Sequence, residues 1–354
     1  MTLTSLLFSL ALAQSSPAPA DAEPAAAPAD AAALPAAAAE AATDTDGATV
    51  TLPADPKGLR DAVRLELKAS ATPDAQLEAE VERIAVRIEL ERSLTPMIGD
   101  VALHDGLATL HLGTDYQFLP PDQAAKIIIA WGNPPPSQPP LGMILTAGES
   151  PFTATWAVIL DYDDQGHVDD AEAESMDFAA LLKDMQQGTK DANPGREAAG
   201  YDALELVGWA EPPHYDAVAK KLYWAQHLKS STGGDSLNYD IRVLGRRGVL
   251  SLSAVSDISA LPEVKAGMSA LVPLVDFNPG ESYADFDPST DKLAAVGIGA
   301  LIAGGLATKA GFFKMLFVGL LAAKKFVVLG LVAAVAAFNK WRGVKSDDPK
   351  PPIG

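Results

Sequence analysis

The sequence predicts an α+β fold: an antiparallel sheet built as a hairpin meander and covered by helices, with a C-terminal transmembrane helical segment beyond it. Three observations lead there. Two runs on either side of Gly245-Arg246-Arg247-Gly248 alternate apolar and polar residues, the period of a strand. Leu77, Val81, Ile84 and Ile88 recur at helical spacing instead. From Leu293 to Phe338 the chain turns almost wholly apolar.

Taken in order, residues 1–13 carry an apolar stretch from Leu6 to Leu12 and small residues at Ala11 and Ala13. They read as a signal peptide, although no basic residue precedes the apolar stretch. Residues 14–48 are nearly all Ala and Pro with a few acids. Such a composition buries too little apolar surface to offset chain entropy, so this part reads as a disordered tether. A soluble α+β domain is expected over 49–290. Its first helix holds Leu77 to Ile88. "GDVALHDGLATLHLGTDYQFLP" alternates about Asp105-Gly106 and predicts a hairpin. "PPDQAAKIIIAWGN" predicts a short helix with proline in its first turn.

"TATWAVILDY" is rich in β-formers and reads as a strand. After a turn at Asp164-Gln165-Gly166, Asp169 or Asp170 is expected to cap a helix over "AEAESMDFAALLKDMQQ", with Phe178, Leu181, Leu182 and Met185 on one face. Next, "ALELVGWAE" and "KKLYWAQHL" read as a strand pair about Pro212-Pro213. In "LNYDIRV", Leu237, Tyr239, Ile241 and Val243 point one way and Asn238, Asp240 and Arg242 the other, and "VLSLSAV" returns with the same period. Four strands joined by hairpins predict a sheet with one wet face. "LPEVKAGMSALVPLVDF" is then a helix over the other face, interrupted at Pro273.

The membrane anchor is expected over 291–340, with a basic and then Pro-rich tail at 341–354. A single helix from Leu293 to Phe338 would be roughly 70 Å long, against a hydrocarbon core of about 30 Å. One span plus an interfacial helix, or two helices, are the alternatives. A charge at mid-bilayer costs at least about 2.5 kcal/mol, so Lys309, Lys314, Lys324 and Lys325 belong near a membrane surface. That puts the first span near 293–308. Ala295, Gly299, Ala303, Ala307 and Gly311 recur every four residues there and form a small-residue packing face.

Charge and cysteine content exclude several classes. The formal net charge is −19, yet Lys292–Ser346 alone is +8, so the body is more acidic than the total. Phosphate binding needs a basic face, which removes nucleic acid as a partner. The basic end coincides with the apolar end, which implicates the lipid bilayer. There is no cysteine, hence no disulfide, thiolate metal site or cysteine nucleophile.

The strings "ELVGWAEPPHYD" (205–216), "KKLYWA" (220–225), "LNYDIRVLGRRGVL" (237–250) and "FNPGESYADFDPSTDKLAAVGIGALIAGG" (277–305) resemble the bacterial membrane-anchored proteins of domain-of-unknown-function family 2167. The resemblance spans roughly 80 to 305. It implies an envelope protein with a terminal anchor and supplies no activity.

P-loop, G-x-S-x-G and H-E-x-x-H patterns are lacking. The five histidines, at 104, 111, 167, 214 and 227, show no metal-ligand spacing. The candidate for catalysis is Glu211, His214 and Asp216, because a carboxylate beside a histidine can orient it as a general base. No nucleophile is identifiable, and a proline-stiffened loop over Trp209 and Trp224 explains the same residues. Arg246-Arg247 reads as a polar hairpin tip before an anion site. "DYDDQGHVDDAE" maps Asp161, Asp163, Gln165, Asp169 and Glu172 onto calcium-loop positions. A calcium loop of that kind needs an entering helix, and a strand enters here, so a turn followed by a helix cap fits better. The leading expectation is a binding or scaffolding protein at the inner membrane, its soluble domain periplasmic, meeting the bilayer and an envelope protein partner. The alternatives are a membrane-tethered hydrolase using Glu211–Asp216 and a calcium-dependent binding module at 161–172.

Overall fold

The computed structural model describes residues 52–69, 72–173 and 176–303. The predicted signal peptide, the tether and most of the predicted anchor lie outside the described residues. The chain forms two compact units that meet at Ala85/Val86.

In the first unit, α1 (Pro56–Ala69) buries Leu59, Val63 and Leu67 at successive turns. It is followed by α2 (Asp74–Arg92), the predicted helix, which continues into the second unit. Arg60 grips Glu82 through Nε at 2.7 Å and Nη2 at 2.8 Å. Arg64 grips Glu78 through two contacts of 2.8 Å. Moving one turn forward on α1 moves one turn back on α2, so the two helices run antiparallel.

The second unit holds β1 (Asp100–Leu103), β2 (Ala108–His111), β3 (Tyr116–Leu119), α3 (Pro121–Ala130), β4 (Gly142–Thr146) and β5 (Trp156–Asp163). It continues with α4 (Phe178–Ala198), β6 (Leu204–Asp216), β7 (Lys221–Ser230), β8 (Asp235–Leu244), β9 (Val249–Asp257), α5 (Leu261–Leu271), β10 (Val275–Phe277) and α6 (Ile298–Ile302). A seven-stranded sheet has the order β3-β4-β5-β9-β8-β7-β6, and a three-stranded sheet the order β1-β2-β10. All pairings between these named strands are antiparallel. The predicted α+β class with an antiparallel sheet under helices is therefore present.

Many local expectations are met. The hairpin about Asp105-Gly106 joins β1 to β2, with Asp105 at φ 53° and Gly106 at φ 89°. Left-handed backbone runs through three successive residues, with His104 also at φ 42°, and Asp and Gly tolerate it best through their short or absent side chains. The short helix α3 begins on Pro121. "WAVILDYD" is strand β5, and "LNYDIRV" and "VLSLSAV" fall in β8 and β9.

Four readings change. First, the meander has no wet face. One face carries Ala225, Tyr239, Ile241 and Leu252, and packs against α5 and the three-stranded sheet. The other is covered by α3 at one end and by α4 and α6 at the other. Between those helices Asn238 and Asp240 are only 6% and 7% exposed. Asp240 is matched there, accepting from Ser253 Oγ at 2.6 Å and Arg242 Nη1 at 3.1 Å, while the Arg242 guanidinium lies over the Trp224 ring. Burial of a charge needs such partners, and polar alternation alone does not reveal them.

Second, β6 and β7 do not turn at Pro212-Pro213. The turn is Ala217–Lys220, closed by Asp216 opposite Lys221, with Lys220 at φ 55°. The prolines sit inside β6, the outermost strand, among three register shifts. An edge strand tolerates residues without an N–H because its outer side has no partner to lose. Third, the cap of α4 is Asp177, accepting from the amides of Ala179 and Ala180 at 3.0 Å each. Asp169 accepts instead from the Ala171 amide at 2.9 Å, and Asp170 is taken up by side chains described below.

Fourth, residues 291–303, expected in the anchor, join the folded unit where they are described. The backbone of Leu293 bridges His167 in parallel, and Ile298 and Ile302, each 1% exposed, pack with Met185, Leu204 and Leu222. Among the described residues no helix is long and apolar enough to cross a membrane. Residues 304–340 of the predicted anchor, with the lysine cluster, lie outside the described residues.

Candidate functional site

Strand β6 brings two of the three catalytic candidates to one face through an irregularity. Residues three apart on a regular strand point to opposite faces. Here Glu211 is opposite Ala225 and His214 opposite Tyr223, so three steps on β6 match two on β7. The extra residue, in the Pro212-Pro213 segment, turns both side chains toward α5. Beside them opens a cleft of about 470 Å³. Its walls are Tyr223 and Tyr239, and its apolar floor is Ile241, Met268, Val272 and Pro273.

The acidic groups of the cleft are occupied. Glu211 Oε2 receives Lys265 Nζ at 2.9 Å. Its other oxygen is 4.0 Å from His214 Nδ1, beyond hydrogen-bond reach. Asp216 Oδ1 accepts from the Val218 and Ala219 amides, each at 2.9 Å. Those amide bonds, the Ala219 one foremost, hold its carboxyl below the usual carboxylate range, with help from Lys221 and His214. Ser269 donates to the Lys265 carbonyl at 2.8 Å, one turn back on α5. His214 stacks on Tyr223 with ring centres 4.8 Å apart and planes 4° from parallel.

The remaining groups are donors. Lys221, Tyr223 and Tyr239 line the cleft, and their Nζ and Oη atoms make no hydrogen bond or ion pair with any described residue. Burial pushes Lys221 below the usual ammonium range, opposed by the more distant Asp276 and Asp216. Burial, and next the Glu211 charge, push Tyr239 up to about 12. None of Lys221, Tyr223, Tyr239 and Lys265 was singled out from sequence, because they come from three separate elements. The alternation in "KKLYWA" and "LNYDIRV" does place Tyr223 and Tyr239 on one face once the register is known.

The calcium candidates do not converge. Asp161 and Asp163 belong to β5, opposite Ser251 and Val249 of β9. Gln165 precedes Gly166, whose amide donates to the Arg247 carbonyl at 2.9 Å. Asp169 accepts from its own turn, and Glu172 lies in the turn that follows. No group of three or more His, Asp or Glu among the described residues is placed to hold a metal ion.

What that stretch does hold is a clasp. His167 exchanges backbone hydrogen bonds with residues 292 and 294, at 2.8 and 2.7 Å. Its ring lies between Tyr283 and Phe286, at 4.1 and 4.0 Å. Asp170 accepts from Tyr215 and Lys220 at 2.6 Å each and from Tyr283 at 3.0 Å. Burial pushes the Asp170 carboxyl up, but these three partners together outweigh it and hold it below the usual range. The arginine tip is likewise spent. Arg246 holds Asp291 through two contacts, at 2.6 and 3.1 Å, and Arg247 pairs with Glu281.

The family profile described as Protein of unknown function (DUF2167) matches residues 95–335, more than half of the 354-residue chain. No curated protein matches the chain. Among solved structures the chain is similar to cyanobacterial PsbP (CyanoP) from Synechocystis sp. PCC 6803 at 6% identity, covering 51% of this chain and 91% of that chain. The TM-score of 0.30 is too low to inform fold or function.

Proposed function

The chain belongs to the Protein of unknown function (DUF2167) family, and from that premise we propose that it is a membrane-anchored envelope protein whose folded domain acts by binding, through the cleft between β6 and α5. The observation that carries this reading is the state of the cleft's side chains. Covalent hydrolysis through a serine joins that hydroxyl to a base that a carboxylate orients. In this cleft the serine hydroxyl is bound to its own helix, the carboxylates to Lys265 and to amides, and His214 to neither carboxylate. An apolar floor with a few convergent polar groups is instead the usual form of a ligand site.

The anchor is assigned to the apolar sequence after residue 303, since 293–303 is used inside the domain; with the span expected near 293–308 taken up there, Phe326–Phe338 is the longest charge-free apolar run left for it. Placement at the inner membrane with the domain in the periplasm rests on the leader-like first thirteen residues and on that apolar, basic end.

A photo-reactive amino acid at position 269 of the full-length chain, in growing cells, tests the binding reading. It should yield a discrete adduct that Lys265→Glu diminishes. The same probe at Leu65, an exposed position of α1, is the control. Equal or absent adducts at both positions would sink the proposal.

A further inference from the structure

We propose that the ligand group recognised in the cleft is a carboxylate carried on an apolar body, held by Lys221, Tyr223 and Tyr239; this rests on the cleft being the binding site.

The argument is an inventory of donors and acceptors. A ligand that displaces water from a polar group must supply the hydrogen bond itself, or that group is left unpaired at a cost. Glu211 and Asp216 each already receive donors in this cleft, Lys265 on Oε2 of the one and two amides on Oδ1 of the other. The donors Lys221 Nζ, Tyr223 Oη and Tyr239 Oη have no partner among the described residues. A tyrosine hydroxyl can donate or accept, but the Lys221 ammonium only donates, so the group fits a ligand that brings acceptors. One of the donors is a half-buried ammonium with no carboxylate inside ion-pair distance, so the ligand should also bring negative charge.

The same geometry limits that charge. Only Lys221 is an unpaired cation, whereas Glu211 and Asp216 line the same cleft. A second negative charge on the ligand would meet those carboxylates without a second free cation. There is also no arginine fork for bidentate phosphate recognition. One negative charge with two acceptor oxygens fits; a dianionic phosphate does not. The rest of the ligand is set by the floor of Ile241, Met268, Val272 and Pro273 and by the stacked His214–Tyr223 pair. These surfaces reward an apolar or aromatic body. The volume of about 470 Å³ suits a small molecule or a short chain end.

Calorimetry on the full-length chain in lipid nanodiscs, with empty nanodiscs subtracted, tests this using 4-phenylbutyrate, its neutral amide and phenylbutyl phosphate. The acid should bind saturably, with the amide and the phosphate each about tenfold weaker or worse, the loss expected for one charge-assisted hydrogen bond. Lys221→Met should weaken the acid to the level of the amide. Lys221→Arg, which keeps the charge, should restore most of the binding. Thermal unfolding of each variant, matched to the parent, ensures that the loss is local. Equal binding of acid and amide, tighter binding of the phosphate, or no saturable binding of the acid would overturn the proposal. If the probe at position 269 forms its adduct while the acid fails to bind, the cleft is a binding site and only its ligand chemistry is wrong.

Discussion

Cutting the chain at residue 290, where its composition turns apolar, should damage the folded domain, whereas cutting it at 303 should not. Residues 291–303 contribute Ile298 and Ile302, each 1% exposed and packed with Met185, Leu204 and Leu222. Fully burying one such side chain stabilises by roughly 1.5–3 kcal/mol, so the pair is worth about 3–6 kcal/mol. Whole domains have only about 5–15 kcal/mol to lose. The shorter chain also forfeits the backbone bridge to His167 and leaves Arg246 without Asp291. The assay is urea unfolding of chains ending at 290 and at 303, followed by tryptophan fluorescence, for which fully buried Trp224 is a reporter. The longer chain should unfold cooperatively. The shorter should show a midpoint lower by an amount equivalent to several kcal/mol, or no folded baseline. Equal midpoints would refute the claim that this segment belongs to the core. In the full-length chain, Ile298→Ala with Ile302→Ala should reproduce most of the loss, although neighbours one turn apart need not add.

Three further outcomes follow from the clasp and the acidic loop. Asp170→Asn removes the charge that Tyr215, Lys220 and Tyr283 converge on, and should cost about 2 kcal/mol in urea unfolding, since bonds to a charged group are worth about 1.5–3 kcal/mol each and the amide keeps part of them. The Arg246 bond, and next the Asp287 amide, hold the Asp291 carboxyl down at about 2. A lowered carboxyl contributes stability that is present above its unfolded value, about 3.9, and is lost as pH falls through the folded value. Asp291→Asn should therefore flatten the stability profile between about pH 4 and 2, as read by acid unfolding in near-UV circular dichroism. Because Asp161 and Asp163 sit in a paired strand, Asp161→Ala with Asp163→Ala should leave calcium calorimetry of the full-length chain unchanged; heat present in the parent and lost in the variant would revive the calcium reading.

Much of the fold was legible because local rules and tertiary context agree. Asp105-Gly106 between alternating runs, and the period of two across Gly245–Gly248, describe the strands as they stand. The misread parts are those where one residue pattern serves two environments. Ile298 and Ile302 recur at helical spacing whether the other surface is lipid or protein, so apolarity alone assigned them to a membrane. Asn238 and Asp240 alternate like solvent-facing residues, and only Ser253, Arg242 and the covering helices reveal a buried polar seam. Pro212-Pro213 looks like a turn, and becomes a bulge only because β6 is an edge strand.

The candidate site divides in the same way. Glu211, His214 and Asp216 are near in sequence and do border one cleft. Its spare donors depend on the β6–β7–β8 register, and Lys265 depends on how α5 crosses the sheet. No spacing within a single segment records either. Conversely, the acids of 161–172 formed a pattern in sequence that the fold disperses, using Asp170 as the hub of a clasp.

The central claim is that the cleft between β6 and α5 is where the domain binds. Hydrogen exchange of the full-length chain, compared between native membrane vesicles and purified protein in nanodiscs, tests it most directly. Slower exchange over 209–216 and 261–273 in native membranes, with α4 unchanged, is the predicted result. Identical exchange at the cleft in both settings, or protection centred on α4, would contradict it.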